Sequence, residues 1–467
     1  MTGDTLREEC GVSGIWGHPH AVTLTHYALY ALQHRGQESA GIAAACSGDD
    51  GLKLHRGLGL VAEVFGEETL ESLRGDCAVG HVRYATTGNT SLRNAQPLVV
   101  RLKSTSLGLA HNGNLTNAAR LRRCLEGGGS IFQSTSDTEV IAHLTARARP
   151  DEMGASLLEA LQEVRGGYAL VALTPGQLFA ARDPAGIRPL CLGKLGDGWM
   201  VASETCALDT AGATFVRDVA PGELLCIDDK GLTSLRITGN APPALCIFEY
   251  IYFARPDSNL QGHNVHQVRK ELGRLLAMDH PVDADVVSGV PASSLSAATG
   301  YAEQAGIPYE MGLVRNRYIG RTFIQPGDEL RKLGVRLKLN PLRKVVEGRR
   351  VVLVDDSIVR GTTSKILVEL LRAAGAEEIH LRISSPPYRY PCYYGIDTSS
   401  KGELIAAGRT VEEIRAIVGA DSLAYLDEDR VAEAAGGTRS NFCTACFDGD
   451  YPVPPEEIDE DRLEEVD

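Results

Sequence analysis

The chain has 467 residues and a formal net charge of −14. This length exceeds one typical core and predicts two domains, while the acidic charge argues against a nucleic-acid partner, which would require a basic surface. No stretch approaches the ~18 uninterrupted apolar residues of a membrane helix, and no apolar secretory core opens the chain, so we expect no membrane partner. The 11 scattered cysteines favour a reducing cytoplasm.

A cysteine follows the short polar leader, in the stretch "ECGVSGIWG" from Glu9 to Gly17. Cys10 has two interpretations. It is either a core thiol at the start of a strand, or the first residue of a mature chain from which residues 1–9 are removed as a propeptide. In the second case its own α-amine, with a pKa near ~8, could act as the base for its thiol.

Residues 10–240 contain many short apolar runs that end in turn residues, such as "CAVGHVRYATTG" and "LGLAHNGNL". Two stretches interrupt them with helical spacing: "VTLTHYALYALQHRGQES" and "SDTEVIAHLTARA". Ser136 and Glu139 predict a capping box in the second stretch. The region is typical of sheets sandwiched by helices.

After "ITGNAPPAL" the pattern changes, and the boundary is predicted near 235–250. Short apolar strands alternate with amphipathic helices, which predicts a parallel sheet covered by helices over 241–430. Residues 431–467 form a C-terminal segment that ends in an acidic, solvated tail.

The strongest local motif is "RRVVLVDDSIVRGTTSKIL", which reads as a buried strand, two acids, a small-residue loop and a helix start. Ligands of open parallel sheets bind at the carboxyl ends of strands, where Asp355 and Asp356 fall. The loop that follows suits a phosphate at a helix N-terminus. The alternative is a capped turn with surface acids. The predicted phosphate loop consists of Ser357, Arg360, Gly361, Thr362 and Thr363.

This segment resembles the phosphoribosylpyrophosphate (PRPP) motif of type I phosphoribosyltransferases. "SGVPASS", Ser288–Ser294, resembles the pyrophosphate loop of that family, and "NRYIGRTFIQP" resembles its mobile loop. Arginines of the mobile loop could neutralise a pyrophosphate leaving group, whose charge grows as the bond breaks. The arginines with this role are Arg315, Arg317 and Arg321, and Tyr318 of the same loop is a further candidate for substrate binding.

The first half contains groups that could serve a thiol nucleophile. In "HNGN", the Asn112 amide and the Gly113 N–H could form an oxyanion hole. Arg83 could bind a carboxylate and Asp137 an α-ammonium group, and Arg35 lies in "LQHRGQES". Each has a structural alternative as an ion pair, a turn residue, a helix cap or a solvated loop residue. Together they resemble the motif set of the class II, N-terminal-nucleophile glutamine amidotransferases.

A glutaminase half followed by a PRPP transferase half resembles the glutamine phosphoribosylpyrophosphate amidotransferase family. "LQHRGQESAGI", "EYIYFARPDS" and "VDDSIVRGTTS" carry the resemblance. It implies an αββα glutaminase sandwich, and ammonia transfer from glutamine to PRPP with Mg²⁺ on Ser293, Asp355 and Asp356. It also implies a propeptide, feedback by purine nucleotides and a homotetramer.

The C-x₂-C pair in "NFCTACF" could by itself be a zinc half-site, an iron–sulfur half-site or neither. The resemblance to the propeptide-bearing branch of the family implies a [4Fe–4S] cluster. Its ligands would be Cys246, Cys392, Cys443 and Cys446.

Two other functions compete with this interpretation. A non-catalytic, nucleotide-responsive regulator could retain the phosphoribosyltransferase fold, but it would not need both the mobile loop and the glutaminase set. A class II amidotransferase could use another acceptor, but "VDDSIVRGTT" argues against that. Glutamate release that depends on PRPP would discriminate between them.

Overall fold

The computed structural model describes residues 10–84, 91–150, 152–239, 241–316, 339–396, 398 and 401–456. The predicted propeptide, the mobile-loop residues Arg317, Tyr318 and Arg321, and the end of the acidic tail lie outside this part of the chain.

Two antiparallel sheets make up the first half. One has seven strands in the order β11-β9-β10-β1-β4-β2-β3 and the other has six in the order β13-β12-β8-β7-β6-β5. The strands are β1 Gly11–Trp16, β2 Ser39–Ala45, β3 Lys53–Leu58, β4 Cys77–Arg83, β5 Leu98–Arg101, β6 Ser106–Leu115, β7 Gly166–Thr174, β8 Gln177–Arg182, β9 Cys191–Leu195, β10 Gly198–Ala202, β11 Thr214–Asp218, β12 Glu223–Asp228 and β13 Gly231–Arg236.

Helices cover the outer face of each sheet, so the layers run helix, sheet, sheet, helix. Residues such as Val12 and Ala110 pack between the sheets, whereas Ile15 and Leu107 face the helices. This alternation follows from the two-residue period of a strand. The helices are α1 Ala21–Ala31, α2 Val61–Val64, α3 Glu67–Leu73, α4 Ala118–Gly127, α5 Thr138–Arg147, α6 Met153–Glu163 and α7 Thr205–Ala211.

The start of α5 differs from the predicted capping box. Ser136 Oγ accepts from the Thr138 N–H at 3.3 Å, but the Glu139 carboxylate does not return to Ser136. It accepts instead from the backbone N–H groups of Gln133 and Ser134, each at 2.8 Å. The preceding turn therefore captures the carboxylate, and Asp137 is left at the N-cap position without a capping bond of its own.

The second half is built on a parallel sheet with the strand order β17-β20-β21-β22. Val352 and Val354 pack towards α8 and α9, whereas Val351 and Leu353 pack towards α11 and α12. The elements are β14 Leu245–Cys246, β15 Asn259–Leu260, β16 His263–Asn264, α8 Val265–Asp279, β17 Val286–Gly289, α9 Leu295–Ala305, β18 Leu313–Arg315, β19 Leu339–Pro341, α10 Arg343–Val346, β20 Arg350–Asp355, α11 Thr362–Ala373, β21 Glu378–Ile383, α12 Val411–Val418, β22 Ser422–Tyr425, α13 Glu428–Ala434, β23 Phe442–Cys443 and α14 Ala445–Asp448.

A short parallel pair ties the C-terminal segment to the junction between the halves. β14 pairs with β23, so that Cys246 lies opposite Cys443. A π-helical turn, Glu249–Phe253, follows β14. Among the described residues, no helix is long and apolar enough to cross a membrane.

Candidate active sites and a thiol cavity

The first candidate site lies between the two sheets, at the ends of β1, β4 and β6. Cys10 immediately precedes β1, whose Gly11 pairs with Val82 of β4. On β4, Cys77 and Val79 face the space between the sheets, so the two-residue period directs His81 and Arg83 to the same side. The predicted nucleophile and the predicted carboxylate-binding arginine therefore share one cleft.

Cys10 is buried, and its Sγ lies 3.5 Å from the Tyr84 carbonyl oxygen. Burial raises the pKa of this thiol to about 11, although the positive charge of Arg83 acts in the opposite direction. At neutral pH such a thiol is almost fully protonated. Only the thiolate is a strong nucleophile, so Cys10 requires a base.

The predicted oxyanion-hole residues lie on β6. Asn112 is fully buried, and within the described part of the chain neither its Nδ2 nor its Oδ1 has a hydrogen-bond partner. Leaving a buried amide unpaired costs about 1–3 kcal/mol, which makes this amide a candidate donor to a bound ligand. Gly113 has a φ of 131°, and a Cβ there would lie 2.0 Å from the Gly167 carbonyl oxygen. Only glycine fits.

Asp137 lies beside the same strand. One carboxylate oxygen accepts from the Leu115 N–H at 2.9 Å, and the other is 3.6 Å from His111 Nδ1. Burial acts to raise its pKa, but the His111 interaction and two backbone N–H donors prevail and leave the pKa below its usual value. Asp137 is thus an anion suited to an ammonium group. Its charge also acts on Cys10, which places both groups in one site.

The structure contradicts the substrate-binding role predicted for Arg35. Its side chain is completely buried and donates from Nε to Glu204 and from both terminal nitrogens to Glu249. Two carboxylates inside the protein therefore already satisfy this guanidinium. Because Glu249 belongs to the π-helical turn at the junction, Arg35 acts as an ionic tie between the two halves.

The second candidate site lies at the carboxyl ends of β17 and β20. Asp355 ends β20 and Asp356 follows it, as the motif predicts. Ser294 Oγ donates to Asp355 Oδ1 at 3.0 Å, and Ser293 Oγ donates to Asp356. The pyrophosphate-loop motif and the paired acids are therefore in direct contact.

Both carboxylates are buried, and this burial is the main reason that their pKa values are raised. The neighbouring Asp356 raises the pKa of Asp355 further. Arg269 acts on Asp356 with a positive charge, yet its own guanidinium donates to the carbonyl oxygens of Tyr250 and Ala254. Such a pair favours a cation or hydroxyl donors from a ligand.

The predicted phosphate loop connects β20 to α11. Gly361, at the N-cap position, has a φ of 84°, and α11 begins at Thr362. The Ser357 hydroxyl donates to Asp356 Oδ2 at 2.7 Å. Arg360 donates to Glu403, so its charge lies beside the loop but is engaged by a carboxylate. The backbone at Gly361–Thr363 forms the N-terminus of a 12-residue helix, which suits an anion.

Four cysteines from three segments line one small cavity. They are Cys246, Cys392, Cys443 and Cys446. All four are free thiols, and the pairing of β14 with β23 brings Cys246 beside Cys443. Among the described residues, no three His, Cys, Asp or Glu side chains converge as a single-ion site. The four thiols therefore surround the cavity and do not converge on the position of a single metal ion.

Sequence reasoning missed several residues of these sites. Tyr84 and Glu38 lie near the nucleophile, and the charge of Arg269 acts on Asp356. None of them carries a local signal, since Arg269 sits within an ordinary amphipathic helix. Ser294 could have been found, because it belongs to the "SGVPASS" motif.

Two family models match the chain. A glutamine amidotransferase domain matches residues 81–210, and a phosphoribosyl transferase domain matches residues 264–384. The fold and the two sites therefore define a class of protein: a glutaminase joined to a phosphoribosyltransferase.

Relatives specify the family. An amidophosphoribosyltransferase from Bacillus subtilis is 54% identical over 455 residues, 96% of this chain and 95% of that protein. A chloroplastic one from Arabidopsis thaliana is 50% identical over 97% of this chain and 80% of that protein. The chain belongs to the amidophosphoribosyltransferase family.

Solved structures agree with this assignment. One described as the allosteric regulatory enzyme of purine biosynthesis matches with a TM-score of 0.92 and 52% identity, over 96% of this chain and 97% of that one. A B. subtilis glutamine PRPP amidotransferase in complex with ADP and GMP matches with a TM-score of 0.91 and 52% identity, over 96% and 98%. The predicted family and two-part fold class are confirmed.

Proposed function

We propose that this chain transfers the amide nitrogen of glutamine to PRPP, giving 5-phosphoribosylamine, glutamate and pyrophosphate, as the first step of purine biosynthesis. The observation that carries the proposal is that one chain holds two sites: a buried thiol on which Arg83 and Asp137 act, with an unpartnered amide on β6, and an acidic pair at the end of a parallel strand. Both belong to a chain that is 54% identical to an amidophosphoribosyltransferase over 96% of its length.

In the glutaminase half, Cys10 is the nucleophile. Removal of residues 1–9 frees its α-amine, which takes the thiol proton as the thiolate attacks the glutamine amide carbon. Asn112 Nδ2 and the Gly113 N–H donate to the oxyanion, Arg83 binds the substrate carboxylate, and Asp137 binds its ammonium group. The α-ammonium group of Cys10 then returns the thiol proton to the amide nitrogen, the C–N bond breaks, and neutral ammonia leaves a thioester on Cys10. Water hydrolyses the thioester to glutamate and restores the thiol. The raised pKa of Cys10 in the unprocessed chain supports a need for the freed amine.

In the transferase half, ammonia displaces pyrophosphate from C1 of PRPP. Asp355 and Asp356 accept from the ribose hydroxyls, while Ser357 and the loop Arg360–Thr363 hold the 5′-phosphate. Arg317, Tyr318 and Arg321, which lie outside the described residues, are assigned to binding the pyrophosphate. Ser293 and the two aspartates offer the oxygen ligands that Mg²⁺ prefers, and a bound Mg²⁺ would offset charge on the leaving group.

Four further properties belong to this proposal. Residues 10–240 form the glutaminase domain, 241–430 the transferase domain and 431–467 the C-terminal segment. Purine nucleotides act as feedback inhibitors, which the complex of a 52% identical structure with ADP and GMP supports. The active enzyme is a cytoplasmic homotetramer.

A reaction assay tests the proposal directly. Purified protein should release glutamate from glutamine faster when PRPP is added, and it should consume PRPP with either glutamine or ammonia. Mass analysis of the N-terminus should find Cys10 as the first residue. Binding of PRPP without any turnover would instead favour a regulator.

The cavity also leads us to propose a [4Fe–4S] cluster held by Cys246, Cys392, Cys443 and Cys446. Four cysteine thiolates are the usual ligands of such a cluster, and here all four line one cavity. Bridging three distant segments would disfavour the unfolded chain. Its role is therefore structural.

Metal analysis separates this cluster from zinc. Anaerobically purified protein should be brown, with about four irons per chain. Cys443→Ser should lose iron and fold poorly, whereas Cys226→Ser, at a half-buried thiol outside the cavity, should keep both iron and fold. Zinc at these thiols with full activity would contradict the assignment.

A further inference from the structure

One short segment borders both the thiol cavity and the glutaminase site. Residues Cys392–Ile396, here called the bridge segment, present alternate residues to the cavity: Cys392, Tyr394 and Ile396 line it. The intervening Tyr393 and Gly395 meet the first half of the chain instead. The bridge segment therefore links the thiol cavity to the part of the first half that Tyr393 and Gly395 contact.

Those two residues touch strand β6 next to the oxyanion residues. Asn114 Nδ2 donates to the Tyr393 carbonyl oxygen at 2.9 Å. A Cβ built on Gly395 would lie 3.3 Å from both Gly113 Cα and Gly113 carbonyl carbon. The bridge segment thus contacts β6 through the Asn114 side chain at Tyr393 and packs directly against the β6 backbone at Gly395.

Two further contacts hold the bridge segment in this place. Arg188, which also lines the cavity, donates from Nε to the Tyr394 carbonyl oxygen at 3.0 Å. The Cα–Cβ side of Tyr394 lies against Gly167, where an added Cβ would come within 3.1 Å of Tyr394 Cβ. Since a Cβ on Gly113 would meet Gly167 at 2.0 Å, Gly113 is enclosed by Gly167 on one side and by Gly395 on the other.

We propose that the bridge segment is the positioning element of the glutaminase oxyanion hole, with Tyr393 and Gly395 as positioning residues. This inference rests on the proposed function of Asn112 and Gly113. Oxyanion donors act only when they lie within a few tenths of an ångström of the developing charge, and misplacement by 1 Å costs about 100-fold in rate. A segment anchored by Cys392 at the thiol cavity thereby fixes donors in the other half of the chain.

Gly395→Ala is the direct test, because its φ of 127° disfavours a side chain and an added Cβ would lie 3.1 Å from Arg188 Nη2 and 3.3 Å from Gly113, so these neighbours would have to shift by a few tenths of an ångström. In the iron-replete protein we expect a roughly 10- to 100-fold lower kcat with glutamine. The KM for glutamine should change little, since Arg83 and Asp137 are untouched. Synthesis from ammonia and the iron content should match those of the wild type.

Matched variants separate positioning from general damage. Gly408→Ala places the same methyl group at a φ of 90° in open space, so it tests backbone strain alone and should leave the glutamine kcat unchanged. Asn114→Ala removes one contact to the bridge segment without strain, and Asn117→Ala removes a similar bond to Glu163, also 2.9 Å, inside the first half. Only Asn114→Ala should lower the glutamine kcat selectively.

Hydrogen exchange gives a readout other than activity. The peptide that covers β6 should exchange faster in Gly395→Ala and in Asn114→Ala than in Gly408→Ala. Three results would overturn the inference. Gly395→Ala and Asn114→Ala could lose activity equally with both nitrogen sources, both could keep the wild-type kcat with glutamine, or hydrogen exchange of β6 could stay unchanged in both. If the wild type itself released no glutamate, the proposed function would fail instead, so the two failures are distinguishable.

Discussion

The two candidate sites are buried to a similar degree but satisfy their polar groups in opposite ways. In the glutaminase half, the Asn112 amide has no hydrogen-bond partner among the described residues. In the transferase half, Asp355 and Asp356 accept hydrogen bonds from Ser293, Ser294 and Ser357. The first site leaves a donor unpaired, as the proposed oxyanion hole requires, whereas the second satisfies its carboxylates with hydroxyl groups of the protein.

This difference has an energetic consequence. An unpaired buried amide lowers stability and is ready to act without reorganisation, which is the condition for strong transition-state stabilisation. Hydroxyl-bonded carboxylates are already satisfied, so a ligand gains from them only by offering better donors or a cation. We therefore expect variants of the first site to lose rate while keeping stability, and variants of the second to lose substrate binding as well.

Replacing the nucleophile separates the two halves most sharply. Cys10→Ala should abolish synthesis from glutamine and leave synthesis from ammonia intact, because PRPP binds at the other site. Paired assays with the two nitrogen sources measure this. Cys77→Ala, at a buried thiol on neighbouring β4, serves as the control and should support both reactions. Glutamine-dependent activity in Cys10→Ala would remove Cys10 as the nucleophile.

Removing the unpaired amide tests the claim that it is held for catalysis. Asn112→Ala should lower the glutaminase kcat by about 100- to 1000-fold, with no loss of thermal stability. Asn117 is the matched control, because it donates to Glu163 and accepts from Arg165. Its replacement by alanine should cost about 1–3 kcal/mol of stability without a selective loss of glutaminase. Comparable destabilisation by both variants would mean that Asn112 has a structural partner.

The acidic pair should affect both nitrogen sources alike. Asp355→Asn and Asp356→Asn should each lower kcat/KM for PRPP about 10- to 100-fold, because a charged hydrogen bond is worth about 1.5–3 kcal/mol. Glutamine hydrolysis without PRPP should change less. Asp285→Asn, which removes a partner of Arg350 at the opposite end of the same sheet, should leave PRPP kinetics unchanged. Wild-type PRPP kinetics in both pair variants would exclude these acids from the site.

The smallest expected effect concerns His81, whose hydrogen bond connects β4 to β6 near the glutaminase site. His81 Nε2 donates to the His111 carbonyl oxygen at 3.0 Å, which links β4 to β6 across the two sheets. Burial lowers its pKa to about 3. As the pH falls below ~6.5, the unfolded chain binds a proton that the folded chain does not, so His81 makes the folded state less stable on acidification.

His81→Gln keeps the donor but removes this proton linkage. Relative to the wild type, the variant should gain about 2 kcal/mol of stability between pH 7 and pH 5, measured by urea unfolding across that range. His20→Gln, at an exposed histidine, controls for the loss of an imidazole. Parallel pH profiles for His81→Gln and the wild type would show that His81 takes up a proton in the folded state.

The sequence by itself determined the local pieces of this protein. The strand, acid pair and helix start from Arg350 to Thr362 appear as predicted, since an apolar run, two acids and a glycine-led helix are local signals. The change from many short strands to alternating strands and helices was equally visible, because side-chain periodicity follows directly from backbone geometry. The capping box at Ser136 was misassigned, because a competing turn captured Glu139.

Only the tertiary structure decided which residues these local elements contact. Arg35 looked like a solvated loop residue or a substrate ligand, yet it is buried between Glu204 and Glu249, one of which is 214 positions away. The contact between Asn114 and Tyr393 spans 279 positions, and the four thiols come from three segments. A periodic pattern reports only which side of an element is buried. Which distant charge or backbone it meets depends on how the two halves pack, and only the folded chain brings these groups together.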